Sequence, residues 1–283
     1  MLRMRLGEQI SLRTVQFGET FSIRGVNFSL HPAGHIIGSA QIRVEYKGQV
    51  WVVSGDYKLQ NDNFCAPFEP VKCNVFITES TFGLPSYQWQ PQQTVINEIA
   101  EWIARNKSEE KTSVLMGYSL GKMQRLLTNL PLSGETIYAH SAIDSVNERL
   151  REAGFILPKI ERVKSNINKE MLKGKVVLTP PGVDFSTWLN RLPAFELGYC
   201  SGWLLTHPPK TKRTLDRGFV LSDHADWNEL NTAVKETGAE KVYVTHGSST
   251  EFAKWLTEQG MDASEIKTMH GNEEEEGLVH ESD

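Results

Sequence analysis

Five residues able to bind a metal or move a proton occupy the same kind of position in this sequence, each beside the end of a short strand-like run. His35 sits between Gly34 and the Ile36-Ile37 pair, Asp56 follows WVVSG, Glu79 follows VFIT, His224 follows FVLSD and His246 follows VYVT. Loops leaving buried strands are where a sheet presents chemistry, because the strand fixes the backbone and the loop frees the side chain. One histidine after a strand is most often a hydrogen-bonded rim residue. Imidazoles and carboxylates converging from five strand ends are instead the donor set of a divalent cation such as Zn²⁺ or Mn²⁺. A cation held there lowers the pKa of a bound water, supplies hydroxide at neutral pH and clamps a phosphate oxygen.

The elements that must position these residues are short strands and the helices between them. Up to residue 80 the pattern is strand-like, with alternation in FSIRGVNFSL, a Lys47-Gly48 turn inside IRVEYKGQVWVVSGD and a buried run, NVFITES. From residue 91, PQQTVINEIAEWIARNK places Val95, Ile99, Trp102 and Ile103 on one helical face. SVLMGYS then reads as a strand and LGKMQRLLTNL as a helix, while ETIYAH and KVVLTP are strands on either side of the helix SVNERLREAG. The last third repeats the unit twice, GFVLS before WNELNTAVKETG and KVYVTHG before TEFAKWLTEQG. This alternation predicts a parallel α/β layer. The change of rhythm near residue 85, without a flexible linker, predicts an insertion around which the first and last segments form one domain.

With 283 residues, 39% of them hydrophobic, the chain can bury one large core or two ordinary ones. No apolar run reaches the roughly 18 to 20 residues of a membrane helix, and MLRMRLGEQI lacks the apolar centre of a signal peptide. Cys65, Cys73 and Cys200 are too few for a disulfide framework and fit no usual zinc spacing, which predicts reduced thiols in a cytoplasmic protein without a membrane partner. The net charge of -5 argues against a globally basic nucleic-acid binder but leaves room for a local patch, because the tail GNEEEEGLVHESD weights the total.

Six blocks occur in a telling order: HPAGHIIGSAQIRVE, WVVSGDYK, FITESTFGLP, GYSLGKMQRLL, GFVLSDHADW and VTHG. Over nearly its whole length the chain resembles the metallo-β-lactamase-fold nucleases of the β-CASP group, and most closely the bacterial ligase-associated DNA exonucleases. The resemblance implies an α/β fold, a metallo-β-lactamase αββα sandwich that is N-terminally incomplete and carries an inserted β-CASP α/β cap. Residues 1–85 and 216–270 would form the sandwich, 86–215 the cap that closes over nucleic acid, and 271–283 an acidic disordered tail. It also implies two divalent metals, zinc or manganese, with His35 on one, His246 on the other and Asp56 bridging them. His224 would donate a proton to the leaving oxygen, and Glu79 would orient and acidify that imidazole. The implied activity is phosphodiester hydrolysis from DNA ends, with an ATP-dependent DNA ligase and a helicase as partners. RNA processing is the alternative within the fold, since 2′-hydroxyl contacts are not legible in these residues.

The family pattern has a further block, His-x-His-x-Asp-His, upstream of His35. The histidines here stand at 31, 35, 140, 207, 224, 246, 270 and 280, and no two are separated by a single residue. Two protein ligands would then serve each ion, fewer than the three of most catalytic zinc sites. MLRMRLG reads as the middle of a helix with no N-cap, so the expectation is a truncated chain of low or absent activity, or a non-catalytic nucleic-acid-binding remnant. Missing first strands would leave an open edge and uncovered apolar faces, which predicts poor stability.

Three other features carry chemistry of their own. GYSLG places Ser119 in the strand-turn-helix context of a nucleophile elbow, and the chain order allows a Ser119, Asp184, His224 hydrolase. The better reading is a phosphate-holding helix start, with the Ser119 hydroxyl and the charge of Lys122, against a glycine-permitted tight turn that binds nothing. Lys210, Lys212 and Arg213 lie on a proline-stiffened stretch, THPPKTKR, suited to backbone contacts with DNA or to plain solvation. Trp188, Tyr199 and Trp203 have the ring faces to stack on unpaired bases but read better as core, and His31 reads as a structural neighbour of His35. Asp223 and Asp226 flank His224, so that one of them could orient a neighbour, while Asp226 also suits the start of the following helix.

Overall fold

The computed structural model describes residues 2–7, 9–183, 185–207 and 215–266. They divide into two compact units. The discontinuous unit comprises residues 11–88 and 223–266, and the inserted unit comprises the described residues of 89–222 together with those up to 10. After a short helix α1 (Leu2–Leu6), the discontinuous unit opens with five strands, β1 (Phe21–Ile23), β2 (Val26–Pro32), β3 (Ala40–Tyr46), β4 (Gln49–Val53) and β5 (Val75–Glu79). The inserted unit runs α2 (Gln92–Ser108), β6 (Thr112–Met116), α3 (Lys122–Asn129), β7 (Ile137–Ala139), α4 (Ser141–Glu152), β8 (Ile160–Arg162), β9 (Val176–Thr179), α5 (Phe185–Trp188), β10 (Phe195–Cys200) and β11 (Arg217–Phe219). The chain then returns to the first unit through α6 (Trp227–Thr237), β12 (Lys241–Thr245), α7 (Ser249–Glu258) and β13 (Asp262–Glu265).

The sheet of the discontinuous unit has the order β1-β2-β3-β4-β5-β12-β13. It is antiparallel from β1 to β4 and parallel from β4 to β13. The β3–β4 hairpin turns at Lys47 (φ +49°) and Gly48 (φ +77°), the paired positive angles that match the twist of the strands. One face is covered by helices: Val52, Phe76, Val242 and Val244 pack with Leu230 and Val234 of α6 and with Phe252 and Leu256 of α7. Helix α6 begins at Asp226, whose carboxylate accepts the Glu229 N–H at 2.8 Å, and ends at Gly238 in the left-handed region, φ +64°.

The opposite face is open among the described residues. Ile42 pairs with Val53 and Val44 with Trp51 across β3 and β4, and Ile42, Trp51 and Val53 are 42%, 41% and 37% exposed. Trp51 stacks on Tyr243 with ring centroids 6.3 Å apart, so the apolar surface continues across to β12.

The inserted unit is built differently. Among the described residues its six strands are all parallel, in the order β11-β10-β6-β9-β7-β8. Val114 and Val177 enter one apolar cluster, while their chain neighbours Leu115 and Leu178 enter another with Ile96, Ile99 and Trp102 of α2. A parallel sheet buried on both faces requires such continuous apolar strands. Strand β11 hydrogen-bonds to β10, so residues 216–222, expected with the sandwich, lie instead in this unit. The pairing of a three-residue strand is decided by its partner, which local periodicity does not reveal. No helix among the described residues is long and apolar enough to cross a membrane.

Replacing Trp51 and Val53 together by threonine is expected to reduce binding of a hydrophobic dye with little loss of stability. Phe76→Ala, on the covered face, should cost about 3–5 kcal/mol. Dye fluorescence and urea denaturation check both, and unchanged dye binding in the threonine variant would mean that the face is covered in solution.

Candidate metal centre

The loop after β2 holds His35 through backbone packing. Gly34 has φ +72°, and a Cβ built on it would lie 2.2 Å from the Lys58 carbonyl oxygen, so only glycine fits there. The Ser39 hydroxyl accepts the N–H groups of His35 and Ile36, each at 3.2 Å. The His35 ring donates from Nδ1 to the Asp223 carbonyl at 3.0 Å, and its Nε2 lies 3.8 Å from Asp56 Oδ2. Asp56 itself follows β4 and is about half exposed, at 47% of its side chain.

At the end of β5, Glu79 is almost wholly removed from water, with 1% of its side chain exposed. Its Oε1 accepts the Tyr57 N–H at 2.6 Å, and its Oε2 accepts the Thr81 hydroxyl at 2.5 Å and His224 Nδ1 at 3.1 Å. The His224 ring stands 4.5 Å, centroid to centroid, from that of His35. Behind it, the buried Lys58 donates from Nζ to the His224 carbonyl at 3.3 Å and lies 3.5 Å from Glu229 Oε2. Residue type and spacing do not mark Lys58, Glu229 or the Asp223 carbonyl as parts of the site. Lys58 stood within WVVSGDYK, but nothing in its spacing marks it as buried.

Burial is the largest influence on all three titrating groups here. It lowers the pKa of His35, the charge of His224 lowers it further, and Asp223 and Asp56 only partly oppose them. Burial also lowers His224, but the charge and hydrogen bond of Glu79, with Asp56 and Asp223, outweigh it and leave this imidazole above its ordinary value. In Glu79 burial raises the pKa, yet the His224 charge and hydrogen bond, the Thr81 hydroxyl and the Tyr57 N–H together carry it below the usual carboxylate range.

Among the described residues, His35, Asp56 and His224 each offer one ligand atom, all within 4.8 Å of one another. Two imidazoles and a carboxylate are the three protein donors of a catalytic site with an open position. Each imidazole is already fixed through its other nitrogen, by a carbonyl and by a carboxylate, as metal-bound histidines are. The site therefore fits one divalent cation beside His35 and Asp56, with the His224 ring close enough either to complete the donor set or to carry a proton. The second metal implied by the resemblance does not have three donors among the described residues: His246, at φ +57° with an exposed side chain, joins no such group. His31 is engaged by Ser29 at 3.0 Å and Glu69 at 3.1 Å.

The other expected site residues lie elsewhere or outside the described part. Ser119 belongs to the inserted unit and His224 to the discontinuous one. Asp184, Lys210, Lys212 and Arg213 are outside the described residues. Lys122 is only 4% exposed, with its amine 5.3 Å from the Tyr118 ring centroid, so it is packed inside the unit rather than held out for a phosphate. The turn before α3 is tied down by Gln124, which accepts the Gly121 N–H at 2.8 Å and donates to the Ser119 carbonyl at 2.9 Å.

Fold and site together define an α/β protein with two sheets and a histidine-carboxylate cation site at strand ends. No family model matches the chain. It is 31% identical over 266 residues to a protein named "Probable DNA ligase" from Opitutus terrae, covering 93% of this chain and 26% of that one. It is 22% identical over 294 residues to cleavage and polyadenylation specificity factor 73 of Drosophila melanogaster, covering 86% of this chain and 43% of that one. Endoribonuclease YSH1 of Saccharomyces cerevisiae is 27% identical over 118 residues, 41% of this chain and 15% of that one. The chain thus spans about a quarter of the length of the Opitutus relative and less than half of the other two. A solved structure of a protein of unknown function from Enterococcus faecalis V583 shares the fold, with a TM-score of 0.60 at 9% identity, over 84% of this chain and 62% of that one. These relatives are consistent with a β-CASP metallo-β-lactamase nuclease family, the one to which the order of the sequence motifs points.

Glu79→Ala would leave the Tyr57 N–H, the Thr81 hydroxyl and His224 without their shared acceptor. It should cost about 2 kcal/mol, because His224 keeps some contact with water, and Glu79→Gln should cost less. Chemical denaturation of both variants checks this, and equal stability of Glu79→Ala and the parent would contradict it.

Proposed function

We propose that the protein is a metal-dependent nuclease that hydrolyses phosphodiesters at DNA ends, in association with an ATP-dependent DNA ligase and a helicase. The observation that carries the chemistry is the pair of neighbouring imidazoles, each anchored through Nδ1, beside the Asp56 carboxylate. His35 and Asp56 would hold the cation, which when bound supplies an acidified water and a positive clamp for a phosphate oxygen. His224 stands at the same place with its second ring nitrogen uncommitted to Glu79, and it would give a proton to the leaving oxygen. Glu79 holds that ring in one orientation and balances its charge. Lys58 fixes the backbone carbonyl of the same residue, so the imidazole is held from both ends.

DNA is preferred over RNA because the ligase-named relative is 31% identical over 93% of the chain, against 22% over 86% for the cleavage and polyadenylation factor and 27% over 41% for the endoribonuclease. The resemblance in motif order favours the same choice.

The test combines elemental analysis of bound metal with digestion of end-labelled DNA and RNA, with and without Mn²⁺ and chelator. His35→Ala and Asp56→Ala should lose both metal and activity. His224→Ala should keep the metal while turnover falls by about 10²- to 10⁴-fold. Loss of metal in His224→Ala would make it a third ligand rather than the proton donor, and chelator-resistant digestion would overturn the metal-dependent reading. Digestion of RNA alone would move the substrate to RNA, and metal-loaded protein that binds but digests neither would make it a binding protein.

A further inference from the structure

The inserted unit contains a cavity of about 410 Å³ that the nuclease reading does not use. It lies where β7 and β8 end, the side of a parallel sheet on which open α/β proteins take their ligands. Its wall includes His140, Ser141, Arg162, Lys164, Trp188 and Arg191. Arg162 and Lys164 are placed on the same side by strand alternation, because Val163 between them is buried and its N–H continues the ladder to the Ala139 carbonyl at 3.0 Å.

The charge of this cavity is one-sided. Three permanent cations line it, no carboxylate among the described residues does, and none of the three has an ion-pair partner among the described residues. Like charges that line one cavity repel one another, and a bound anion removes that cost. Their field is felt at His140, whose pKa is lowered first by burial and then by Arg162 and Arg191. The same histidine caps α4, a helix of 12 residues: its Nδ1 accepts the Ala142 N–H at 3.1 Å, which leaves the ring proton on Nε2 as a further donor. Trp188 packs edge-on to that ring, with centroids 5.5 Å apart, and fixes it. Guanidinium forks, a neutral imidazole donor and the positive end of a helix are the groups that recognise a phosphate. The volume lies within the range of small-molecule sites, so it admits the phosphate together with part of its ester.

We propose that this cavity is a phosphate-ester site, taking the phosphate of a nucleotide through Arg162, Arg191 and Lys164. The phosphate comes either from a free nucleotide or from one unit of a nucleic-acid strand. The full chain, kept in chelator so that the His35 and Asp56 site neither holds nor cleaves the probe, is titrated with dAMP and with a fluorescein-labelled single-stranded 12-nucleotide DNA. An Arg162→Ala/Arg191→Ala variant is compared with an Arg149→Ala/Lys173→Ala control, which removes two surface charges of the same unit outside the cavity. The cavity variant should weaken binding at least about tenfold and, for the strand, flatten the salt dependence by about one to two contacts, while the control changes little. Loss of dAMP affinity identifies a free nucleotide as the source, and loss confined to the 12-mer identifies the strand. Equal weakening by the control, unchanged binding in the cavity variant with its melting temperature intact, or no binding of either probe overturns the proposal.

Discussion

Glu79 is a negative charge with 1% of its side chain in contact with solvent, and a carboxylate stripped of water survives in its charged form only where donors replace that water. The donors come from separate stretches of chain: the backbone of Tyr57, the hydroxyl of Thr81 and the imidazole of His224. Satisfying one buried group therefore brings three loops to one point. Tyr57 is adjacent to Asp56, so the same bond that stabilises Glu79 sets where the Asp56 carboxylate emerges. Lys58 adds an opposite buried charge on the far side, tied to the His224 carbonyl and to Glu229, which also closes the cap of α6. The histidine is thus held between two buried charges of opposite sign, one reaching its ring and one its backbone.

How much of this was legible in the sequence depends on the kind of information each element uses. The parallel runs VFITE and KVYVT are legible as strands from their β-branched and aromatic residues, and the ends of these strands place Glu79 and His246 without further help. His35, Asp56 and His224 also follow from strand ends, and their convergence is present in the structure. The anchoring of His35 was not legible, because its partner is the backbone carbonyl of Asp223, and a carbonyl carries no signature in residue type. Lys58 is not legible as a buried charge, since a lysine after a strand reads as solvated until its burial is seen. His246 follows its strand in the left-handed region with an exposed side chain, and a backbone angle of that kind is not legible in residue type.

The two sheets also differ in what they demand of their strands. In the inserted unit both faces are buried, and successive residues such as Val114 and Leu115 serve different cores. In the discontinuous unit alternation is stricter on β4, with Val52 inside and Trp51 and Val53 outside, yet the outside residues are apolar too. Alternation of burial without alternation of polarity leaves this sheet with an apolar face in contact with solvent among the described residues.

Gly34 and Gly247 have φ of +72° and +67°, and a Cβ on them would lie 2.2 Å from the Lys58 carbonyl oxygen and 2.4 Å from that of Ser80. Neither glycine has a side chain that can bind, donate or accept. Their loops nevertheless lie backbone against backbone, with no slack for a single methyl group. The tolerance of the centre to inherited change is therefore set as much by these silent positions as by its reactive ones. A substitution there would displace His35 or the His246 turn while leaving every chemically active residue in the gene unaltered.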